Sequence, residues 1–224
     1  MTASTSHEAQ LRRDGWTFAD GLIDDATFAA LQAEVGAVLD AAGVRRDLTI
    51  PTTGDSPRRY TLASRAALSH GTIVPALYRD PHVRARLSAL AGESLVAVPY
   101  EPEEFVATRM QYAGDTHGWH WDDYAFALVI VLHAPSAGGA VETIAGTVWD
   151  KRDPQVDTYV RERAITRCTP CAGQAYLIRA DTTLHRVAPL ERDDLREVLT
   201  FSYARAADPR MADAHETLDA LIGG

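Results

Sequence analysis

The chain has 224 residues and a formal net charge of −9, enough length for one sizeable core or a barrel with helical decoration. The negative charge is spread along the chain, which argues against a nucleic-acid surface and permits a cationic small substrate. No apolar run approaches the roughly 18 residues a membrane helix needs, residues 1–8 lack the charged-then-apolar pattern of an export signal, and only two cysteines occur, Cys168 and Cys171, so a cytoplasmic protein without a disulfide framework is expected.

In chain order, residues 1–10 read as disordered or a short helix, and Gly15–Phe18 as a short strand. Asp24-Asp25 offers an N-cap to a helix in which Phe28, Leu31, Val35 and Leu39 recur at helical spacing up to Gly43. The stretch 48–58, with Pro51, Gly54 and Pro57, reads as a loop, and Arg59–Leu62 as a strand. Two helices follow at about 74–78 and 81–91, the second opened by Asp80 with Pro81 in its first turn. From residue 94 the pattern turns to strands: 105–112, 119–122, the doubly apolar 125–132, and 140–144 after the Gly138-Gly139 turn. A polar excursion, 149–164, holds one helix opened by Asp153-Pro154. Strands at 165–168, 174–178, 183–187 and 197–203 follow, and 208–221 reads as a closing helix. Many short strands bracketed by helices predict a mainly β fold, a double-stranded β-helix or cupin-like jelly roll. With no repeat and no linker, the expectation is a single domain: a helical part over about 1–92, a jelly-roll core over about 94–205 and a C-terminal helix over about 208–222.

The chemistry centres on His120-Trp121-Asp122. On an extended backbone alternate side chains share a face, so His120 and Asp122 point one way and Trp121 points the other, into packing. A third ligand must come from a distant strand, and His185 is the candidate. Two histidines and one carboxylate form the facial triad of non-haem Fe(II) enzymes, with three positions left open. Arg196 follows eleven residues later, and a hairpin between the two would set it beside the histidine, where a guanidinium can grip a carboxylate by two parallel hydrogen bonds. Parity puts Val198, Thr200 and Ser202 on its face, so Thr200 and Ser202 would give a polar lining; Arg186 lies opposite His185 and is the poorer choice. A His-x-Asp alone is common by chance. The strand context, the distal histidine, the arginine and the jelly-roll pattern together raise it. Iron is preferred to zinc because three ligands and a paired arginine suit a bidentate keto acid. Trp119 and Trp149 read as core before cavity wall, His133 as structural, and Cys-Thr-Pro-Cys as two structural thiols near a turn.

His120, Asp122, His185 and Arg196 together resemble the Fe(II)/2-oxoglutarate dioxygenases. That resemblance implies Fe(II), 2-oxoglutarate and O2, with the arginine on the far carboxylate of the keto acid. The run His117-Gly-Trp-His120-Trp-Asp122-Asp123-Tyr-Ala-Phe-Ala-Leu is similar to a narrower group, the small radical halogenases and sister hydroxylases of free cationic amino acids such as lysine. The narrower resemblance implies that His117 and Arg59 hold the substrate carboxylate and that Glu103 and Asp123 engage amino groups. Two departures stand out. The halogenases have a small residue, usually glycine, where this chain has Asp122, which points to hydroxylation; and residues 208–224 offer no aromatic side chain to close the pocket, which points to a side chain shorter than, or shaped differently from, lysine. The expected partner is thus a free amino acid, lysine- or ornithine-like, with no nucleic acid and no membrane. The rivals are a metal-dependent cupin hydrolase or isomerase, which has no need of Arg196, and a non-catalytic small-molecule-binding cupin.

Overall fold

The computed structural model describes residues 2–206 and 215–222. Its helices are α1 (Thr2–Asp14), α2 (Asp25–Ala42), α3 (Arg65–Leu68), α4 (Ile73–Arg79), α5 (Pro81–Ala91), α6 (Val156–Glu162) and α7 (Glu216–Ile222). Its strands are β1 (Trp16–Phe18), β2 (Val44–Ile50), β3 (Ser56–Ala63), β4 (Leu95–Ala97), β5 (Phe105–Met110), β6 (Thr116–His120), β7 (Phe126–His133), β8 (Val141–Ala145), β9 (Thr166–Cys168), β10 (Ala175–Ile178), β11 (Thr183–Val187) and β12 (Arg196–Arg205). Among the described residues no helix is long and apolar enough to cross a membrane.

The helical N-terminal third forms where local signals place it. Asp24 accepts a hydrogen bond from the Thr27 N–H at 2.8 Å and opens α2, whose Leu31, Val35 and Leu39 are buried. Glu34, on the next turn, reaches across to accept from the Thr72, Ile73 and Val74 N–H groups at 2.9–3.1 Å. Its carboxylate satisfies the orphan donors at the start of α4 and so pins α4 to α2. These helices pack their apolar stripe on the outer face of β5, β7 and β12, where Phe105, Leu128, Ile130, Leu199 and Phe201 share one core with Leu31 and Leu87.

The strands run in the order β1-β10-β7-β12-β5-β3-β6-β11-β8-β9, with β2 on β3 and β4 on β12, and the pairings are antiparallel. The sheet therefore curls round, so that the inner faces of β7, β10 and β12 look across a cavity at β6 and β11. This is the jelly roll expected from the sequence.

Of the two readings of the N-terminal stretch the helix holds, and it runs on to residue 14. Three other local expectations differ from the structure or extend beyond its described residues. Most of the expected loop 48–58 is sheet: β2 and β3 form a hairpin from Val44↔Leu62 to Ile50↔Ser56, and the prolines fall in the turn and at the strand's second residue. The helix after Asp153-Pro154 starts later, from a left-handed Gln155. Of the expected closing helix only 216–222 is described, as α7, and residues 208–214 lie outside the described residues.

Candidate active site

β6 and β11 are neighbours, and their register puts His185 opposite His120. In each imidazole Nδ1 lies against its own strand's carbonyl two residues back: His120 on Gly118 at 2.8 Å and His185 on Thr183 at 2.9 Å. Donation there fixes the tautomer and leaves both Nε2 lone pairs free. Those two atoms face one carboxylate oxygen, Asp122 Oδ1, at 3.5 Å and 3.8 Å. Burial, followed by His117 and His185 alongside, holds His120 well below the ordinary histidine range. A buried neutral imidazole with a free Nε2 is what a metal ligand must be. The donor set therefore fits a divalent metal with open positions, and the three ligand atoms lie within 4.8 Å of one another.

Two of the residues stand in a local geometry other than the one expected from the sequence. Asp122 is not on the strand with His120: β6 ends at His120, and Asp122 sits in the following loop, its N–H donating to Ala180 O at 3.1 Å. Arg196 is not in a hairpin with His185 either. β12 pairs with β7, β5 and β4, so Arg196 approaches from the facing sheet. The parity argument survives, because Arg196, Val198, Thr200 and Ser202 all line the cavity. Their alternates face out, Glu197 pairing with Arg109 and with His133 (2.8 Å) and Phe201 entering the core. Arg196 is 3% exposed, and among the described residues no carboxylate pairs with it; its neighbour is the Tyr176 hydroxyl. A buried guanidinium without a counter-charge is costly unless an anion joins it, and this one fits the remote carboxylate of a dicarboxylic ligand.

His117 lies over His120, ring centroids 3.9 Å apart and planes 5° from parallel, and the tilted Tyr60 ring is centred 4.9 Å from it. Arg59, expected beside it, is a correction. Its side chain is about half exposed and pairs with Asp47 at 3.2 Å on the outside of the hairpin. Arg58 is the buried one, directly opposite His117 in the β3–β6 register. Its guanidinium donates to Ser56 Oγ (2.7 Å) and Thr53 Oγ1 (3.2 Å), its Nε has no partner, and no carboxylate neutralises it among the described residues. Burial pulls its pKa below the usual arginine value. The signal was present in the sequence: Tyr60 and Leu62 face in, and period-two alternation puts Arg58, not Arg59, with them. The family resemblance, matched by position, points to Arg59 instead.

Glu103 and Asp123 also line the cavity, and their carboxyl groups share a hydrogen bond. Burial first, then Asp123 and Asp122, push Glu103 up to about 9, so a cation docking there favours its ionised form. His215 Nδ1 lies 3.0 Å from Glu103 Oε1, and Lys151 Nζ donates to Asp123 Oδ1 at 2.7 Å. Sequence reasoning found neither His215 nor Lys151, because both arrive from distant segments. Trp121 packs as expected, stacked 6.1 Å from Trp149 and donating to Thr147 Oγ1. Cys168 is partly buried and Cys171 exposed, both as free thiols.

The family model for Halogenase D matches residues 2–223. The chain belongs to the Halogenase D family. No curated protein matches it. Among solved structures it is similar to SnoN, a non-haem α-ketoglutarate-dependent epimerase from nogalamycin biosynthesis, at 19% identity and a TM-score of 0.68 over 96% of this chain and 90% of that one. A 2OG-Fe(II) oxygenase family oxidoreductase from Burkholderia pseudomallei is 20% identical, with a TM-score of 0.60 over 90% and 91%. EctD from S. alaskensis, solved with 2-oxoglutarate and 5-hydroxyectoine, is 15% identical, with a TM-score of 0.64 over 92% and 77%. At these identities the likeness establishes the fold, the double-stranded β-helix of the 2-oxoglutarate oxygenases.

In this Halogenase D member the close packing of β6 on β3 depends on Gly118. A Cβ there would meet Pro57 Cδ, O and N at 2.7–2.9 Å, backbone atoms among them. Gly118→Ala must push apart the strands that carry Arg58, His117 and His120. Its expected result is a loss of metal affinity of about 10- to 100-fold, as for disturbed ligand support, measured by metal titration, with helical circular dichroism unchanged.

Proposed function

We propose that this chain is a single-domain Fe(II)- and 2-oxoglutarate-dependent oxygenase that hydroxylates a free amino acid. The observation that carries the reading is the convergence of two Nε2 atoms and one carboxylate oxygen on one point, with an uncountered buried arginine on the facing sheet. His120, Asp122 and His185 would hold the metal, and Arg196, with the Tyr176 hydroxyl beside it, would hold the remote carboxylate of 2-oxoglutarate. When bound, Fe(II) supplies the coupling of 2-oxoglutarate decarboxylation by O2 to oxidation of an unactivated C–H bond.

The remaining residues position the substrate and exclude water. Arg58 and His117 form a carboxylate end, and Glu103 and Asp123 an acidic end, with Thr200 and Ser202 as hydroxyl partners between the sheets. A zwitterion needs both ends. Asp122 favours hydroxylation within a family named for halogenation, since a carboxylate in the triad fills the position that the resemblance assigns to a halide when the residue is small. A metal-dependent hydrolase on the same fold leaves Arg196 without a purpose, and so does a simple binding protein.

Anaerobic addition of Fe(II) and 2-oxoglutarate is expected to give a weak visible charge-transfer band. Arg196→Met should need at least about tenfold more 2-oxoglutarate to reach the same band, from the loss of a charge-assisted bidentate contact. A wild-type protein that never develops the band is not a 2-oxoglutarate oxygenase.

A further inference from the structure

We propose that the substrate's side chain carries no charge, because Lys151 already occupies the place that a second ammonium would take. This inference rests on the amino-acid reading above and narrows it. Among the described residues, the charged side chains that line the cavity, histidines aside, are Glu103, Asp122, Asp123, Arg186 and Arg196. Asp122 belongs to the metal set and Arg196 to the keto-acid carboxylate. Arg186 is paired with Glu142 at 2.6 Å and lies over the Trp119 ring at 4.8 Å. Asp123 accepts from Lys151 Nζ at 2.7 Å. Arg58 lies outside that lining, directly opposite His117 in the β3–β6 register, as a buried cation with no carboxylate partner among the described residues. The remaining acid is Glu103, which shares a hydrogen bond with Asp123 and lies 3.0 Å from His215 Nδ1. Arg58 and Glu103 match the carboxylate and α-ammonium of an amino acid, and among the described residues every other charged side chain lining the cavity is already engaged.

Lys151 is held where it acts. Its ammonium lies 4.7 Å from the Trp149 ring centroid, a cation–π contact. Trp149 is itself fixed, donating from Nε1 to Thr52 O at 2.7 Å and stacking on the buried Trp121. A diamino acid entering here would bring an ammonium up to Lys151 and would have to displace it from Asp123, and like charges brought together discriminate strongly. The cavity wall agrees with an uncharged chain. Leu62 and Val106 line it from the sheet, and Leu218 and Leu221 from α7. Leu218 and Leu221 are aliphatic, and residues 208–224 carry no aromatic side chain.

The test is a panel on the Fe(II)-loaded full chain with 2-oxoglutarate, reading succinate and hydroxylated mass. Leucine, isoleucine and norleucine stand against lysine and ornithine, with 4-methylpentanoate as leucine without its amine. The expected result is a kcat/KM for the best aliphatic amino acid at least about tenfold above either diamino acid, a difference of roughly 1.4 kcal/mol. Lys151→Met should narrow or invert that ratio by about tenfold, through KM more than kcat, as expected for lost uniform discrimination. Lys151→Arg, which keeps the charge, should retain the wild-type order. Anaerobic calorimetric titration of the same amino acids should rank them in the same way without turnover. Lysine or ornithine used as well as leucine by the wild type, an unchanged ratio in an active Lys151→Met, or 4-methylpentanoate used as well as leucine would each overturn the inference. A charge-transfer band with no succinate from any amino acid would overturn the amino-acid reading itself, and this inference with it.

Discussion

Asp122→Gly is expected to lower amino-acid hydroxylation at least about a hundredfold, more than the loss usual for a supporting residue around a metal, and to give a chlorinated product when chloride is supplied. Asp122 Oδ1 is one of the three donor atoms that converge there among the described residues, and it faces both imidazoles at 3.5 and 3.8 Å. Removing it takes away one ligand and one negative charge, and a halide restores both. The backbone need not move, since the Asp122 N–H bond to Ala180 O survives the substitution. Product masses with and without chloride decide the matter. Hydroxylation at the wild-type rate in Asp122→Gly would remove this residue from the ligand set.

The second large effect separates two adjacent arginines. Arg58→Met is expected to cut kcat/KM for the amino acid by about 30-fold to several thousandfold, the 2–5 kcal/mol lost when one partner of a buried charge pair is truncated. The same variant should unfold at an equal or higher temperature, because in the free protein Arg58 is a buried charge with no carboxylate among the described residues, and a hydrophobic replacement removes that cost. Arg59→Ala should leave both quantities near wild type: its pair with Asp47 is exposed on both sides, a class worth roughly 0–1 kcal/mol. Steady-state kinetics and a thermal melt on each variant suffice. If Arg59→Ala proves the damaging change and Arg58→Met the mild one, the carboxylate end has been assigned to the wrong strand face.

Much of the site was legible because strand geometry is periodic. Alternation along β12 separates Arg196, Thr200 and Ser202 from Glu197 and Phe201, and the structure keeps that division. Arg59 comes from the family resemblance and not from alternation; β3 begins at Ser56, three residues earlier than expected, and alternation along it puts Arg58, not Arg59, with Tyr60 and Leu62. Prolines at 51 and 57 read as loop, yet Pro57 stands at the second position of β3. It pairs there with Thr49 of β2.

The sequence by itself determined which residue types were available and how they alternate: two imidazoles, a carboxylate between them in the chain, an arginine on a polar strand face, and enough short apolar strands to make a jelly roll. Those are local properties, set by side-chain chemistry and by the two-residue period of an extended chain. Tertiary structure alone decided that Arg196 comes from the sheet facing His185, that Asp122 reaches the histidines from a loop, and that Lys151 and His215 stand at the acidic end. Such contacts join segments 28 to 112 residues apart. No local period relates residues so far apart; only the closing of the sheet on itself brings them to one cavity.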